Sequence, residues 1–287
     1  MSTQTPKVSI ILPTYNGQQF IEKSIESCID QTHQNIELII VDDASTDQTA
    51  EIIRRYGERD TRIKVITNKK NKKLPGSLNV GHRASSGDLI TWTSDDNFFR
   101  NDAIENMANY LKTHSDVGMV YCDYWVIDSK EEIVKAVRVP SIEMLSNYNC
   151  IGACFMYRKE THKRTGSYSS NVLYAEDYDY WLRIASRNSV QPIHEILYYY
   201  RFHDDSLTSR VKKEKIRLAA NFALARNLPY LPWLSTEQKY DRMKRIIRNS
   251  LTNHAHQKLL LYFMIAFYIS PRLTFKQLVT KLKSPNI

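Results

Sequence analysis

Residues 8–17 read VSIILPTYNG, and this stretch decides the fold. A short apolar run stops at Pro13 and passes directly into a polar loop that ends at Gly17. An apolar run bounded by proline and turn residues is typical of a buried strand. The same arrangement recurs twice, because apolar runs also lead into VDD at 41–43 and into SDDN at 94–97. We therefore predict three strands whose polar ends carry the chemistry.

Between these and other predicted strands lie segments whose apolar residues recur at helical spacing. The predicted helices cover 20–29, 77–86, 101–113 and 177–187, with a further one between a cap at Thr46 or Asp47 and Gly57. The remaining predicted strands cover 63–67, 117–127, 149–158 and 193–202. Strands that alternate with helices predict an α/β fold with a mostly parallel sheet flanked by helices.

The polar clusters that follow the strands bring several carboxylates together. Ligands of open parallel sheets bind beyond the carboxyl ends of the strands, so the acids at 42–43 and 95–96 are expected to face one cleft. Carboxylates this close repel one another unless a cation compensates them, and Mg²⁺ or Mn²⁺ prefers such oxygen ligands. The alternative is that each acid only caps a helix or decorates a loop. The chain carries neither G-x-G-x-x-G nor G-x-x-x-x-G-K, which excludes a dinucleotide dehydrogenase and a P-loop enzyme.

Four segments together resemble the family 2 glycosyltransferases. They are VSIILPTYNG at 8–17, VDDASTD at 41–47, SLNVGHRASSGDLITWTSDDN at 77–97 and AEDYDYWLRIA at 175–185. The resemblance covers about residues 7–205. It implies the GT-A nucleotide-diphosphosugar fold, transfer with inversion, and Mn²⁺ or Mg²⁺ as cofactor.

The resemblance also implies which residues bind the donor and the metal. Tyr15 is expected to stack on the base, and Asp43 to accept a hydrogen bond from a uracil or thymine imide. The donor-binding residues that it implies are Pro13, Thr14, Tyr15, Asp42, Asp43, Asn79 and Asp95. The metal ligands that it implies are Asp95, Asp96 and His203. Thr93 departs from the commonest pattern, Asp-Ser-Asp-Asp, and leaves open which of Asp95 and Asp96 meets the metal. A loop histidine without a ligand role is the alternative for His203.

Asp177 matches the catalytic base of the family. Inverting transfer needs a carboxylate that takes the proton of the acceptor hydroxyl as it attacks the anomeric carbon. The neighbouring Glu176 and Trp181 are expected on the acceptor side. Because Asp177 lies where a helix should begin, the alternative is a structural N-cap.

The 287 residues carry a net charge of +9, and this charge is uneven. Residues 206–287 hold 16 Lys and Arg against three Asp and Glu, which leaves −4 for the first 205. We therefore predict a glycosyltransferase domain at 1–205 and a helical, basic extension at 206–287. Its basic amphipathic helices and the apolar run 259–269 suit peripheral membrane contact, whereas an ordinary helical cap on the sheet is the alternative. That run is too short to span a bilayer, and no nucleic-acid motif is present.

Together these features predict metal-dependent, inverting transfer of a sugar from a nucleotide-diphosphate sugar, with UDP favoured by the habit of the family. The acceptor expected is a hydroxyl group of a saccharide or of a lipid-linked saccharide. A non-catalytic nucleotide-sugar-binding or scaffolding protein of the same fold is the alternative, suggested by Thr93. No cationic, apolar leader precedes residue 7, from which we expect a cytoplasmic protein, with the inner face of the plasma membrane as its site of peripheral contact.

Overall fold

The structure is a computed structural model that describes residues 5–203, 211–252 and 258–274. Within these residues, nine strands form one sheet. Their bounds are β1 Val8–Thr14, β2 Ile36–Asp42, β3 Ile63–Thr67, β4 Leu89–Trp92, β5 Phe98–Phe99, β6 Val117–Ile127, β7 Ile133–Val137, β8 Phe155–Arg158 and β9 Ser189–Arg201. The predicted α/β fold is confirmed.

The sheet runs in the order β3-β2-β1-β4-β8-β6-β9-β5, and β7 pairs with β6. The first four strands in this order are parallel, as are β6 and β9, whereas β8 runs antiparallel to both of its neighbours. The chain moves outward from β1 to β2 and β3 and then returns to place β4 on the other side of β1. Ligands of open α/β sheets bind where the strand order reverses in this way.

Helices cover both faces of the sheet. Their bounds are α1 Ile21–Ile29, α2 Thr49–Arg59, α3 Lys73–Ala84, α4 Ala103–Thr113, α5 Lys159–Thr165, α6 Glu176–Ala185, α7 Lys213–Asn227, α8 Thr236–Thr252 and α9 Leu259–Ile269. Successive side chains of a strand point to opposite faces, so Ile10 joins the core beneath α1, α2 and α4, whereas Ile11 joins the core beneath α3 and α6. Each face thus has a hydrophobic layer of its own.

The helices after residue 211 pack on the body of the protein. Their buried residues Leu224, Met243 and Tyr262 belong to the same hydrophobic cluster as Trp181 of α6. The apolar faces of these helices therefore cover the body of the protein, as the alternative of an ordinary helical cap expects. The predicted domain boundary at 205/206 lies outside the described residues, so the division of the chain into two domains stays a prediction.

The bounds of several predicted elements differ from the structure. The strand predicted over 149–158 is shorter, because only Phe155–Arg158 pairs in the sheet and Gly152 turns the chain at φ +73°. The helix predicted over 77–86 begins four residues earlier, since Pro75 is tolerated in a first turn where backbone N–H groups have no helical partner. Gly57 does not end α2, which continues to Arg59.

Among the described residues, we find no helix with both the length and the apolar character that crossing a membrane requires.

Candidate active site

The ends of β1 and β4 meet at the reversal of the strand order. Thr14 closes β1, and its hydroxyl donates a hydrogen bond of 2.5 Å to Oδ2 of Asp95, just beyond β4. Gly17 permits this approach, because a Cβ at that position would lie 2.7 Å from Oγ1 of Thr14 and would overlap the Asp95 carboxylate. The glycine of the VSIILPTYNG stretch is therefore required by the geometry of the site.

Residues 94–97, which we call the acidic loop, carry two adjacent carboxylates. Burial, and then the charge of Asp96, raise the pKa of Asp95 to about 7. The Oδ1 atom of Asp96 is buried and has no hydrogen-bond partner among the described residues, and its Oδ2 lies 3.1 Å from Nε2 of His203. The structure therefore places two of the three predicted metal ligands, Asp96 and His203, in contact, with Asp95 next to Asp96 in the chain. No group of three or more His, Cys, Asp or Glu side chains in the described ranges has a metal-binding arrangement, so these residues could supply only part of a coordination shell.

Arg201 supports the acidic loop from beneath. It is 2% exposed, and its Nε donates to the carbonyl of Asp96 at 2.9 Å. Its backbone N–H donates to Oδ1 of Asn97 at 2.7 Å, and its guanidinium lies 4.4 Å from the centre of the Phe20 ring. Our sequence analysis missed this residue. The signal was available, because an arginine inside a predicted aromatic strand must find buried partners.

Just after β2, hydrogen-bond donors hold the carboxylate of Asp43 in place. Asp43 is buried and accepts hydrogen bonds from the Asn68 amide at 2.8 Å and from the Lys72 backbone at 2.8 and 3.0 Å. The neighbouring Asp42 keeps Oδ2 buried and without a partner among the described residues. Tyr15, which follows β1, is 49% exposed, so its ring is accessible for stacking. The donor contacts of all three residues stay predictions.

Asp177 lies at the start of α6, on a different part of the chain. Its Oδ2 accepts from the Asn149 amide at 2.8 Å, and its Oδ1 accepts from the Tyr178 backbone at 2.7 Å. Burial raises the pKa of Asp177, and these hydrogen bonds lower it. The helix begins at Glu176 after Ala175, so Asp177 is not the N-cap residue. Burial, together with the charge of Asp177, raises the pKa of Glu176 to about 7.

One cavity of about 650 Å³ lies between the acidic loop and the start of α6. Its lining includes Asp96 on one side and Glu176 and Asp177 on the other. Asn149, Gly152 and Ala153 form part of its wall, so the first half of the strand predicted over 149–158 lines the cavity as a loop. Helix α7 contributes a further wall that the sequence analysis did not expect, because it assigned that helix to a separate extension.

Of the predicted site residues, Asp96, Glu176 and Asp177 line this cavity, whereas Pro13, Thr14, Tyr15, Asp42, Asp43, Asn79, Asp95, His203 and Trp181 do not. Trp181 is fully buried and its ring packs 4.4 Å from that of Phe155, so it belongs to the core. Both amide atoms of Asn79 pair with the backbone of Tyr168, at 2.9 and 2.8 Å, and a donor contact for Asn79 stays a prediction. Thr93, at the position of the expected first acid, is fully buried and lies 2.6 Å from the hydroxyl of Tyr198.

Comparison with known sequences now defines the class of protein. Residues 9–166 match the family described as Glycosyl transferase family 2. A glycosyltransferase of Rickettsia typhi is 31% identical over 220 residues, which are 72% of this chain and 68% of the relative. EpsE of Bacillus subtilis is 32% identical over 213 residues, 71% of this chain and 76% of its own length. The chain belongs to glycosyltransferase family 2, and it is a glycosyltransferase.

Solved structures agree with this fold. S. aureus TarS 1–349 in complex with UDP-GlcNAc has a TM-score of 0.68 at 18% identity, over 86% of this chain and 73% of that one. The mannosyltransferase PcManGT from Pyrobaculum calidifontis, in complex with GDP-Man and Mn²⁺, has a TM-score of 0.56 at 17% identity, over 99% and 77%. The predicted GT-A fold is confirmed by these neighbours.

Proposed function

We propose that this protein transfers a sugar, with inversion, from a nucleotide-diphosphate sugar to a hydroxyl group of a saccharide or lipid-linked acceptor, using a divalent metal. The observation that carries the proposal is that Asp96 and Asp177 line the same cavity. Asp96 belongs to a strand end at the reversal of the sheet, where ligands of this fold class bind. Asp177 comes from a separate helix that lines the same cavity, and a single displacement needs a base and a leaving group on opposite sides of the reacting carbon.

Asp177 is the group that we assign as general base. It takes the proton of the acceptor hydroxyl as that oxygen bonds to the anomeric carbon, and the bond from this carbon to the diphosphate breaks with its electron pair. Hydrogen bonds from Asn149 and the Tyr178 backbone hold the carboxylate and favour its charged form. Burial raises the pKa of the neighbouring Glu176 to about 7, and Glu176 is the second candidate for this role.

The residues of the acidic loop suit Mn²⁺ or Mg²⁺. Asp96 has a buried oxygen without a partner among the described residues, and the imidazole of His203 lies beside its other oxygen. Such ions are bound by one or two carboxylates together with the phosphates of a nucleotide, so Asp95, Asp96 and His203 would be sufficient protein ligands. A metal bound there would neutralise charge that develops on the leaving diphosphate.

The donor would extend from the acidic loop toward the ends of β1 and β2. Tyr15 offers an exposed ring for the base, and Asp42 offers a buried carboxylate oxygen without a partner among the described residues. The neighbours bind UDP-GlcNAc in one case and GDP-Man in the other, which supports a nucleotide-sugar donor. We assign UDP as the nucleotide because the family resemblance favours it, and the buried Asp42 oxygen could accept from its imide N–H.

Thermal unfolding with UDP or GDP, each with and without Mn²⁺, tests this proposal. Ligand at one hundred times its Kd stabilises the folded state by about 2.7 kcal/mol, so UDP with Mn²⁺ should raise Tm. Asp96→Ala should abolish the metal-dependent part, whereas the exposed Asp116→Asn should behave as the wild type. Asp177→Asn should bind UDP normally and lose sugar transfer. No stabilisation by either nucleotide with Mn²⁺ or Mg²⁺ would overturn the proposal, and full transfer by Asp177→Asn would remove the base.

We also propose peripheral contact with an anionic membrane through the outer face of α9. Tyr262 and Ala266 face the protein core, whereas the other side of this helix is exposed. The exposed side chains there are Leu260 at 76%, Met264 at 61%, Phe267 at 55% and Tyr268 at 69%. The strong positive charge of the tail complements anionic lipid, and an apolar helix face rimmed by cations is what an interfacial segment needs.

Sedimentation with vesicles tests the membrane contact. The wild type should bind vesicles that contain phosphatidylglycerol and should leave pure phosphatidylcholine vesicles in solution. The double variant Leu260→Ser, Phe267→Ser should lose this binding, and Val134→Ser should keep it, since Val134 is an equally exposed residue on β7. Equal sedimentation of the wild type and the double variant would overturn the contact.

A further inference from the structure

Helix α7 presents one face to the cavity that holds the carboxylates. The residues of this face recur at helical spacing and line the cavity beside Asp177: they are Ile216, Arg217, Ala220, Asn221 and Leu224. Tyrosines at 124, 148 and 200 also line the cavity. An apolar and aromatic cleft with a few polar groups is the usual form of a site for a small polar ligand.

Arg217 is unusual among the arginines near the site. It lines the cavity and is exposed, and it has no hydrogen-bond or ion-pair partner among the described residues. By contrast, Arg201 pairs with Glu131 and Arg183 pairs with Asp179. A guanidinium left free beside an acidic cavity is suited to a ligand that brings its own anion, because its planar set of donors matches phosphate and carboxylate.

Asn221 lies one helical turn further along the same face, about 6 Å along the axis. Its Nδ2 atom is buried and finds no hydrogen-bond partner among the described residues. On another wall, Oδ1 of Asn149 is buried without such a partner, while the amide nitrogen of that residue holds Asp177. Buried polar atoms are rarely left unpaired, so two of them in one cavity indicate a polar ligand.

We propose that Arg217 and Asn221 form the acceptor subsite, and that this subsite binds a phosphate or carboxylate group carried by the acceptor. This inference rests on the proposed function, in which the acceptor hydroxyl meets Asp177. The Arg217 guanidinium pairs with the anion, and the Asn221 amide donates to a neighbouring oxygen of the same acceptor. Exposed lysines at 212 and 213 add positive potential at this end of α7 and steer an anion toward the cavity.

Binding of small probes to the full chain loaded with UDP and Mn²⁺ tests the subsite. Titration calorimetry compares glucose, glucose 6-phosphate and decyl phosphate. Charge-assisted hydrogen bonds to one guanidinium predict that glucose 6-phosphate binds at least about tenfold more tightly than glucose. Decyl phosphate distinguishes the two sources of the anion: binding equal to that of glucose 6-phosphate supports a lipid-linked phosphate, and weaker binding supports a phosphorylated saccharide.

Variants of α7 assign the effect to particular residues. Arg217→Ala should abolish the preference for glucose 6-phosphate, and Arg217→Lys should keep part of it. Lys215→Ala is the matched control, because Lys215 is an exposed cation of the same helix that does not line the cavity. Asn221→Leu should weaken glucose and glucose 6-phosphate alike.

Two outcomes would overturn the subsite. One is equal affinity for glucose and glucose 6-phosphate in the wild type, and the other is an unchanged preference in Arg217→Ala. Both can be recognised while UDP and Mn²⁺ still stabilise the protein. Loss of that stabilisation would instead contradict the proposed function.

Discussion

Because the imidazole of His82 is buried, we predict that the free energy of unfolding falls as the pH is lowered, and that His82 accounts for a defined part of this loss. His82 lies on α3 and is 6% exposed, with Nδ1 2.7 Å from the Leu78 carbonyl and Nε2 2.6 Å from the Tyr157 hydroxyl. Since a carbonyl only accepts, Nδ1 carries the proton and Nε2 accepts from the tyrosine. The neutral ring is thus fully paired. Burial, and then the nearby His162, lower the pKa of His82 to about 3.

The sign and size of the effect follow from this pKa. Between about pH 6.5 and pH 3, the unfolded chain binds a proton at His82 that the folded protein does not bind. The free energy of unfolding therefore falls as pH decreases through this window, by about 1.4 kcal/mol for each pH unit. From pH 7 to pH 5 the loss assigned to His82 is about 2 kcal/mol, or roughly thirtyfold in the unfolding equilibrium. The ring of His162 stacks on His82 at 4.3 Å, and burial lowers its pKa as well, in the same direction.

Urea unfolding followed by circular dichroism at pH 7, 6 and 5 measures this loss. His82→Gln removes the titrating group, so its free energy of unfolding should fall by about 2 kcal/mol less than that of the wild type over this range. His114→Gln, at an exposed position, should keep the slope of the wild type. If His82→Gln and the wild type show the same slope, the ring is not held neutral in the way we describe.

Three further predictions concern the site itself. Gly17→Ala should push Asp95 aside and weaken UDP binding in Mn²⁺ by about tenfold or more, as measured by titration, and unchanged affinity would contradict the close approach. Asn149→Ala removes a hydrogen bond that lowers the pKa of Asp177, so the acid limb of the pH–rate profile of transfer should move to higher pH. A limb that does not move would mean that the amide has no effect on the base. Arg201→Met keeps the volume but loses the bonds to the acidic loop, so we expect urea unfolding to show a loss of about 2–4 kcal/mol and Mn²⁺ affinity to fall with it. A loss of stability with normal Mn²⁺ affinity would make its role purely structural.

The strands and the acidic loop could be predicted because their signals are local. The run ending at Pro13 is apolar at successive positions, as a strand covered on both faces must be, and the polar residues begin where it ends. Parallel pairing then brings separate strand ends to one edge, so that the contact between Thr14 and Asp95 follows from topology across 81 residues. Asp177 could be predicted as a site residue only through the family resemblance, because its position opposite that edge is set by how α6 packs.

The position of α7 could not be predicted in the same way. An amphipathic pattern says that one face of a helix is buried, but it does not say which surface covers it. The glycine-free, basic composition after residue 206 indicated a separate extension, and charge alone gave no reason to place Arg217 beside Asp177. Arg201 is a related case: an arginine within a strand pattern indicates buried partners, but the sequence does not say that one of them is the backbone of Asp96.

The strand-end residues and the α7 residues differ in how they are held, and so do the two sides of the site that they form. The proposed donor side rests on strand ends and their loops, where the Asp43 carboxylate accepts from the backbone N–H of Lys72, a donor that a change of the Lys72 side chain leaves in place. The proposed acceptor side rests on side chains of α7, a helix held to the body by buried residues that do not line the cavity, such as Ala223 and Asn227. Its cavity face can therefore change by substitution without disturbing the sheet. A fold arranged in this way can keep one donor chemistry while the acceptor that it recognises changes.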